Sequence, residues 1–190
     1  MTLAPDSQHA LVVIDVQQGF DDPDWGRRDN PACEGNITSL IEAWKEAERP
    51  VVVVRHDSAS PDSPLRPGQP GNDLRAFVAS DGISGDVVIT KSVNSAFYGD
   101  PDLHAWLTQR GITRLTICGV TTNHCCETTA RMAGNMGYDV TFVIDATHTF
   151  DRTAPDGSVI PAEEIARVTA ANLHGEFATV LTTREVLQAA

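Results

Sequence analysis

The stretch Ala10-Leu11-Val12-Val13-Ile14-Asp15 decides the fold class of this chain. It is continuously apolar up to the acid that ends it, a pattern typical of a strand buried on both faces of a sheet. Further β-rich segments follow at residues 51–56, 86–91, 115–120, 140–145 and 178–182. Helical patterns separate the segments, so the sequence predicts a three-layer α/β fold with a six-stranded parallel sheet.

Helices are predicted in the segments between the strands. An apolar stripe at helical spacing predicts the first crossover helix, at residues 37, 40, 41 and 44. Asp100 before Pro101 supplies an N-cap and a first-turn proline for another helix, and Gly111 stands where a C-terminal glycine belongs. Further helices are predicted at residues 73–80, 123–136, 163–173 and 184–188.

Length and charge limit the classes of function. The 190 residues fit a single domain, residues 1–190, with a sizeable buried core. Lys and Arg number 14 against 26 Asp and Glu, and the formal net charge of -12 would repel nucleic acid and anionic membrane surfaces. A small-molecule partner is therefore expected, with no nucleic acid and no membrane.

The cellular setting is inferred from the first residues and from the cysteines. Residues 1–9 contain no basic residue and no apolar run of signal-peptide length, so a cytoplasmic protein is expected. The cysteines lack paired Cys-x-x-Cys spacing and the density of a secreted disulfide scaffold. Reduced thiols are the simplest interpretation of Cys33, Cys118, Cys125 and Cys126.

Reactive side chains are expected outside the carboxyl ends of the strands, where open parallel sheets bind their ligands. Asp15 ends the first strand, Lys91 ends the third, and Cys125 follows the fourth at the start of a helix. The helix dipole and a nearby ammonium would lower the pKa of the thiol, and a carboxylate could take up its proton. Taken singly, the cysteine could equally be inert packing, and the other two could be charged strand ends.

Residues 57–71 contain prolines at positions 61, 64, 67 and 70 and show no periodic pattern. A solvated surface loop is one interpretation, and a ligand for proline-binding modules is another. A wall over the active site is the preferred interpretation, because long ordered loops in compact domains are often lids or binding loops.

Three segments together resemble the isochorismatase-like cysteine hydrolases, a family that includes nicotinamidases, N-carbamoylsarcosine amidohydrolases and ureido-group hydrolases. They are residues 11–20 (LVVIDVQQGF), 91–97 (KSVNSAF) and 119–131 (GVTTNHCCETTAR). The resemblance implies a six-stranded parallel sheet of strand order 3-2-1-4-5-6. It also implies a cis peptide bond between Val120 and Thr121.

The resemblance further implies a catalytic triad of Asp15, Lys91 and Cys125. The expected activity is cleavage of a carbon–nitrogen bond in a small amide, ureido or carbamoyl substrate through a thioester on the cysteine. The main-chain N–H groups of Thr121 and Cys125 would form the oxyanion hole. No cofactor is implied, and relatives suggest a homo-oligomer, either a dimer or a tetramer.

Departures from the family pattern bear on metal and substrate. Nicotinamidases add an Asp-x-His pattern and a second His as metal ligands, whereas here Arg55-His56-Asp57 leads into a loop without histidine. No metal site is therefore expected, and nicotinamide becomes a weaker substrate candidate. The presence of Cys125 also argues against isochorismate as the substrate, because true isochorismatases lack the nucleophilic cysteine.

Two other functions stay open. A metal-dependent hydrolase could use His124, Cys125 and Cys126 with a distant histidine, although adjacent ligands are poorly spaced for a tetrahedral site. A catalytically silent binding or scaffold domain of the same fold is the second alternative. Cys126 is interpreted as buried packing, with a redox partnership to Cys125 as its alternative role.

Substrate contacts are expected from the loops that follow the strands, since those loops build the sites on this architecture. The candidates are aromatic residues and histidines, namely Phe20, Trp25, His56, Phe97, Tyr98, His124 and His148. This mixture predicts a small, partly apolar substrate.

Overall fold

Parallel pairing of strands organises the molecule. The computed structural model describes residues 3–79 and 85–188. Within them lie the strands β1 (His9–Ile14), β2 (Val51–His56), β3 (Val87–Lys91), β4 (Arg114–Val120), β5 (Asp139–His148), β6 (Arg152–Thr153), β7 (Val159–Ile160) and β8 (Thr179–Leu181). Six of them form one parallel sheet in the order β3-β2-β1-β4-β5-β8, and β6 pairs with β7 as an antiparallel hairpin. The predicted order is confirmed, with the hairpin inserted before the sixth sheet strand.

Helices flank the sheet. Those in the described residues are α1 (Cys33–Glu46), α2 (Ala76–Ala79), α3 (Leu103–Gln109), α4 (Glu127–Asn135), α5 (Ala162–Leu173) and α6 (Thr183–Gln188). The helix predicted for residues 73–80 is only the short α2, and residue 80 lies outside the described residues. In this part of the chain no helix has the length and apolar character needed to cross a bilayer. That residues 1–190 form a single domain stays a prediction.

The start of α3 differs from the prediction that Asp100 caps it. Both main-chain groups of Asp100 hydrogen-bond to Thr90 of β3, at N···O distances of 2.8 and 2.9 Å. The helix begins after Asp102 instead, whose Oδ1 accepts a hydrogen bond from Ala105 N at 2.9 Å. The prediction was wrong because a β-bridge to Thr90, ten residues earlier, overrides the local capping signal.

Alternating side chains of β1 divide the core into two layers. Residues 10, 12 and 14 belong to one cluster with α3 and α4, and residues 11 and 13 belong to another with α1. On the α1 side the fully buried partners are Ile37, Leu40, Ile41 and Trp44. The predicted stripe and the predicted burial of both faces of β1 are thus confirmed.

Gly119 allows a close main-chain contact between β1 and β4. It pairs with Ile14 in the parallel register and has a φ of 127°, which residues with side chains rarely adopt. A Cβ atom at this position would lie 2.0 Å from the Ile14 carbonyl oxygen. Glycine therefore lets the two strand ends lie side by side, with Asp15 after one and Thr121 after the other.

We expect Gly119→Ala to destabilise the fold strongly, because the new methyl group collides with main-chain atoms. Gly111→Ala is the matched control, since Gly111 also has a positive φ, 67°, but open space surrounds the position of its Cβ. The control should cost about 1 kcal/mol, or about 2–4 °C in Tm, and G119A at least about three times as much. Thermal unfolding measures both, and equal losses would contradict the steric argument.

Candidate active site

Three polar side chains that are distant in sequence meet at the carboxyl edge of the sheet. Lys91 Nζ lies 2.6 Å from Asp15 Oδ2 and 3.4 Å from Cys125 Sγ. The Asp15 and Lys91 side chains are fully buried, and Cys125 is 8% exposed. The structure therefore brings together the three residues that the sequence assigned to a triad.

Sheet topology positions these side chains. Asp15 directly follows β1 with a φ of 51°, Lys91 is the last residue of β3, and Cys125 lies in a π-helical turn between β4 and α4. Because the strands are parallel, their carboxyl ends lie at the same edge of the sheet. The peptide bond between Val120 and Thr121, just before the π-helical turn, is cis.

Burial controls the protonation of the three groups. It raises the pKa of the Cys125 thiol, the Asp15 carboxylate raises it further, and Lys91 offsets only part of the increase. Burial likewise raises the pKa of Asp15 in spite of Lys91. Burial opposes the Lys91 charge, but Asp15 and Cys125 outweigh it and raise the pKa of the ammonium. The expected lowering of the thiol pKa at a helix start is therefore not found, because burial outweighs it. At rest the site holds a neutral thiol beside an ammonium–carboxylate pair.

His56 adds a fourth polar group to the cluster. Its Nδ1 lies 3.1 Å from Lys91 Nζ, and because an ammonium only donates, Nδ1 accepts and Nε2 carries the ring proton. Burial and the Lys91 charge lower the pKa of His56, which keeps its ring neutral. Gln17 fixes the main chain of His56, accepting a hydrogen bond from its N–H at 2.9 Å and donating to its carbonyl oxygen at 3.0 Å.

The same cluster contains ligand types that bind zinc. One atom each from Asp15, His56 and Cys125 lies within 4.8 Å of the other two. The Lys91 ammonium already lies within hydrogen-bond distance of all three residues. A lysine side chain therefore supplies the positive charge at the centre of these potential ligands.

Cys126 is the last residue of the π-helical turn, and it packs in the apolar core. It is fully buried, and burial raises the pKa of its thiol, so the predicted packing role is confirmed. The alternative metal set of His124, Cys125 and Cys126 is not brought together, since the group of potential ligands found in the described residues is Asp15, His56 and Cys125.

A pocket of about 400 Å³, open to solvent, adjoins the cluster. Its lining residues come from strand ends and loops and are Asp15, Phe20, Trp25, His56, Leu65, Asn94, Thr121, His124, Cys125 and Arg152. Four residues predicted to contact substrate are thus brought to it, namely Phe20, Trp25, His56 and His124. Sequence reasoning missed Leu65, Asn94 and Arg152.

One wall of the pocket is apolar. The Phe20 ring centroid lies 5.2 Å from that of Trp25 and 6.4 Å from that of Phe150. Leu65 packs in the same cluster, and Asn72 Nδ2 holds its carbonyl oxygen at 2.8 Å. Because Leu65 belongs to the proline-rich segment, part of that segment lines the pocket, and the wall suits a partly apolar ligand.

The other predicted substrate contacts lie elsewhere. Phe97 packs in the core with its ring 5.9 Å from that of Tyr138, whereas Tyr98, in the same short turn after β3, is 71% exposed and lines a separate hollow. His148 is fully buried against Phe150, with ring centroids 5.3 Å apart. A position after a strand therefore does not by itself fix the direction of a side chain.

The missed lining residues differ in their sequence signals. Asn94 Oδ1 lies 3.8 Å from Cys125 Sγ. Asn94 belongs to the segment 91–97, one of the three that resemble the family, and this membership was the available signal. Leu65 lies in the proline-rich segment that was predicted to border the site. Arg152 lies in β6, whose two residues are too few to show strand periodicity.

Unsatisfied polar atoms mark the pocket as a place for a polar ligand. Among the described residues, five buried side-chain nitrogen or oxygen atoms lack a hydrogen-bond partner. Three of them belong to pocket residues and are Asp15 Oδ1, Thr121 Oγ1 and Arg152 Nε, and the other two are the ring nitrogens of His148. Buried polar atoms are normally hydrogen-bonded, so these three are unusual features of the pocket wall.

Known proteins resemble this chain over nearly all of its length. The isochorismatase domain family model matches residues 9–185. The isochorismatase family protein YrdC of Bacillus subtilis (strain 168) is 38% identical over 182 residues, which are 96% of this chain and 96% of that protein. Nicotinamidase 3 of Arabidopsis thaliana is 32% identical over 165 residues, 80% of this chain and 78% of its own. The crystal structure of an isochorismatase-family protein from Chromobacterium violaceum superposes with a TM-score of 0.90 at 38% identity, covering 100% of this chain and 97% of that one.

We expect Asp15→Asn to lower the pKa of the Cys125 thiol, because it removes the negative charge that adds to the effect of burial. Lys91→Met should act in the opposite direction. Ultraviolet absorbance of the thiolate, followed as the pH is raised, should give a midpoint lower by about one pH unit or more in D15N. A Cys125→Ser protein provides the baseline, and a higher midpoint in D15N would contradict the proposed charge coupling.

His148 should weaken the fold below neutral pH. Burial lowers its pKa from 6.5 to about 3, so between these values the unfolded chain takes up a proton that the folded protein does not. The free energy of unfolding should therefore fall by about 1.4 kcal/mol per pH unit as the pH drops below about 6.5. His148→Leu should remove this contribution with little loss at neutral pH, because the ring nitrogens have no partner to lose.

Urea unfolding of the wild-type and H148L proteins at several pH values measures this difference. His104→Leu is the control, because that histidine is exposed on α3. The same pH dependence in wild-type and H148L proteins would show that His148 does not cause the acid sensitivity.

Proposed function

This chain belongs to the isochorismatase family, and from that premise we propose that it is a cysteine hydrolase cleaving a carbon–nitrogen bond in a small amide, ureido or carbamoyl substrate. The relative named nicotinamidase 3 acts, by its name, on an amide. The observation that carries the proposal is the convergence of an ammonium, a carboxylate and a thiol beside an open pocket. Such a set offers a nucleophile, a base and a fixed positive charge.

The first step is attack of the Cys125 sulfur on the substrate carbonyl carbon. Asp15 takes up the thiol proton as the sulfur–carbon bond forms, and burial makes it a stronger base than an exposed carboxylate because its pKa is raised. Lys91 keeps its proton. Its ammonium stabilises the negative charge, which moves from the Asp15 carboxylate to the Cys125 sulfur when the proton is transferred. The thiol is neutral at rest, so it becomes a nucleophile only as its proton moves to Asp15.

The second step breaks the carbon–nitrogen bond. The carbonyl oxygen becomes an oxyanion in the tetrahedral intermediate, and the main-chain N–H groups of Thr121 and Cys125 bind it, since both residues line the pocket. Collapse of the intermediate releases the amine, which takes the proton held by Asp15. A water molecule that gives a proton to Asp15 then attacks the thioester, and the departing sulfur recovers that proton.

Four pocket residues, Phe20, Trp25, His56 and His124, are proposed to contact the substrate. The pocket suits a small substrate, because its volume is about 400 Å³ including the space open to solvent. Assembly into a dimer or tetramer stays a prediction from the family resemblance. The alternative of a catalytically silent domain predicts that the protein releases no ammonia from any small amide, ureido or carbamoyl compound.

Cys125→Ala should lower turnover by about a thousand-fold or more, because it removes the proposed nucleophile. The assay is ammonia release from a panel of small amides, ureides and carbamoyl compounds, together with mass spectrometry to detect an acyl group on Cys125. Cys118→Ala is the matched control, because Cys118 is also a buried free thiol but does not line the pocket. Substantial turnover by well-folded C125A would exclude the covalent route.

A further inference from the structure

Arg152 reaches the pocket from the β6–β7 hairpin, outside the sheet that positions the triad. The backbone around it is held on two sides. Arg152 pairs with Ile160 in the hairpin, and the preceding Asp151 accepts hydrogen bonds from the Arg27 guanidinium at 2.7 and 3.0 Å and from Ala162 N at 2.8 Å. The Arg152 guanidinium therefore extends from a fixed position.

The charge of Arg152 has no counterion among the described residues, because no acidic side chain there lies within ion-pair distance. Neighbouring arginines differ, since Arg27 pairs with Asp151 and Arg28 pairs with Glu34. Arg152 Nε is buried without a hydrogen-bond partner, and burial lowers the pKa of the guanidinium. An uncompensated cation is thus kept at the pocket of a chain that has 26 acidic residues.

His124 lies beside this guanidinium, with its Nδ1 3.5 Å from Arg152 Nη2. Burial and the Arg152 charge lower the pKa of His124, so its ring is neutral. A guanidinium only donates, so Nδ1 faces it as the acceptor and Nε2 carries the ring proton. The two side chains therefore present N–H groups to a ligand in this part of the pocket.

We propose that Arg152, with His124 beside it, binds a carboxylate of the substrate, so that the enzyme acts on small amides, ureides or carbamoyl compounds that are also acids. This inference rests on the proposed function and deepens it by naming the substrate class. A planar guanidinium can donate two parallel hydrogen bonds to a carboxylate, which would satisfy the buried Nε. The apolar wall then contacts the body of the substrate, and Cys125 faces its carbonyl group.

Charge balance in the pocket favours an anion over other ligands. Lys91 is paired with Asp15, which leaves Arg152 as the charge without a partner. A neutral ligand would leave that charge uncompensated, and a cationic ligand would add repulsion. Only a negatively charged group both fills the hydrogen bonds and neutralises the guanidinium.

The test compares two alkylating reagents that differ in charge. Iodoacetate carries a carboxylate, iodoacetamide is the neutral amide, and both alkylate a thiol with loss of iodide. In the wild-type protein, the ratio of the iodoacetate to the iodoacetamide rate constant at Cys125 should exceed the ratio for free cysteine measured alongside. Arg152→Gln should lower the iodoacetate rate constant by about tenfold or more and change the iodoacetamide rate constant by less than about twofold.

Two further variants complete this comparison. Arg152→Lys should restore part of the iodoacetate rate, because it keeps the charge but not the planar fork. Arg167→Gln is the matched control, because it removes an equal charge from an exposed position on α5 and should change neither rate constant. The proposal is overturned if R152Q keeps the wild-type ratio of rate constants. If the ratio is kept because both rate constants fall by the same factor, the role of Arg152 is structural.

A binding measurement separates this inference from the proposed function. Failure of both reagents to modify Cys125 would contradict the proposed role of Cys125 as the nucleophile. Calorimetric titration of Cys125→Ser protein measures the anion site independently of that role. The probe is succinamate, a small acid with one amide, and the control ligand is succinamide, its neutral diamide. Preference for succinamate of about tenfold or more that R152Q abolishes supports the site. Equal affinities, or no binding of succinamate, overturn it.

Discussion

A buried ion pair of a lysine and an aspartate, 2.6 Å apart, is the interaction on which the rest of this structure depends. Removing two charges from water costs several kcal/mol for each ion unless close geometry and further hydrogen bonds offset it. The sheet supplies that geometry, because β1 and β3 flank β2 and end at the same edge. His56 and Cys125 then take up further hydrogen bonds of the ammonium. Stability and reactivity therefore impose the same requirement on this edge of the sheet.

The continuous apolar character of the strands explains why much of this arrangement could be predicted from the sequence. Buried parallel strands are apolar runs, and their carboxyl ends share one edge, so Asp15, Lys91 and Cys125 could be expected near one another. The direction of each side chain is separate information. Phe97 and His148 also follow or end strands, but they pack inward because turn geometry and neighbouring elements decide where they point.

The remaining differences come from contacts between separate elements of the fold. Asp100 has a local capping signal, but its bridge to Thr90 takes up its main-chain groups. The thiol of Cys125 lies at a helix start, where a lowered pKa is expected. Burial and a carboxylate that follows another strand raise the pKa instead. Arg152 lies in a strand too short to show a pattern. Local sequence patterns do not contain these packing relationships.

The β6–β7 hairpin is inserted between two strands of the main sheet and does not pair with either. Its Arg152 nevertheless reaches the same pocket as Cys125, which the sheet positions. Under the proposed roles, bond cleavage and ligand selection are encoded in separate stretches of the chain. Exchange of this insert during evolution could then redirect the enzyme to new compounds while its reaction machinery stays intact, so substrate range can diverge faster than the fold.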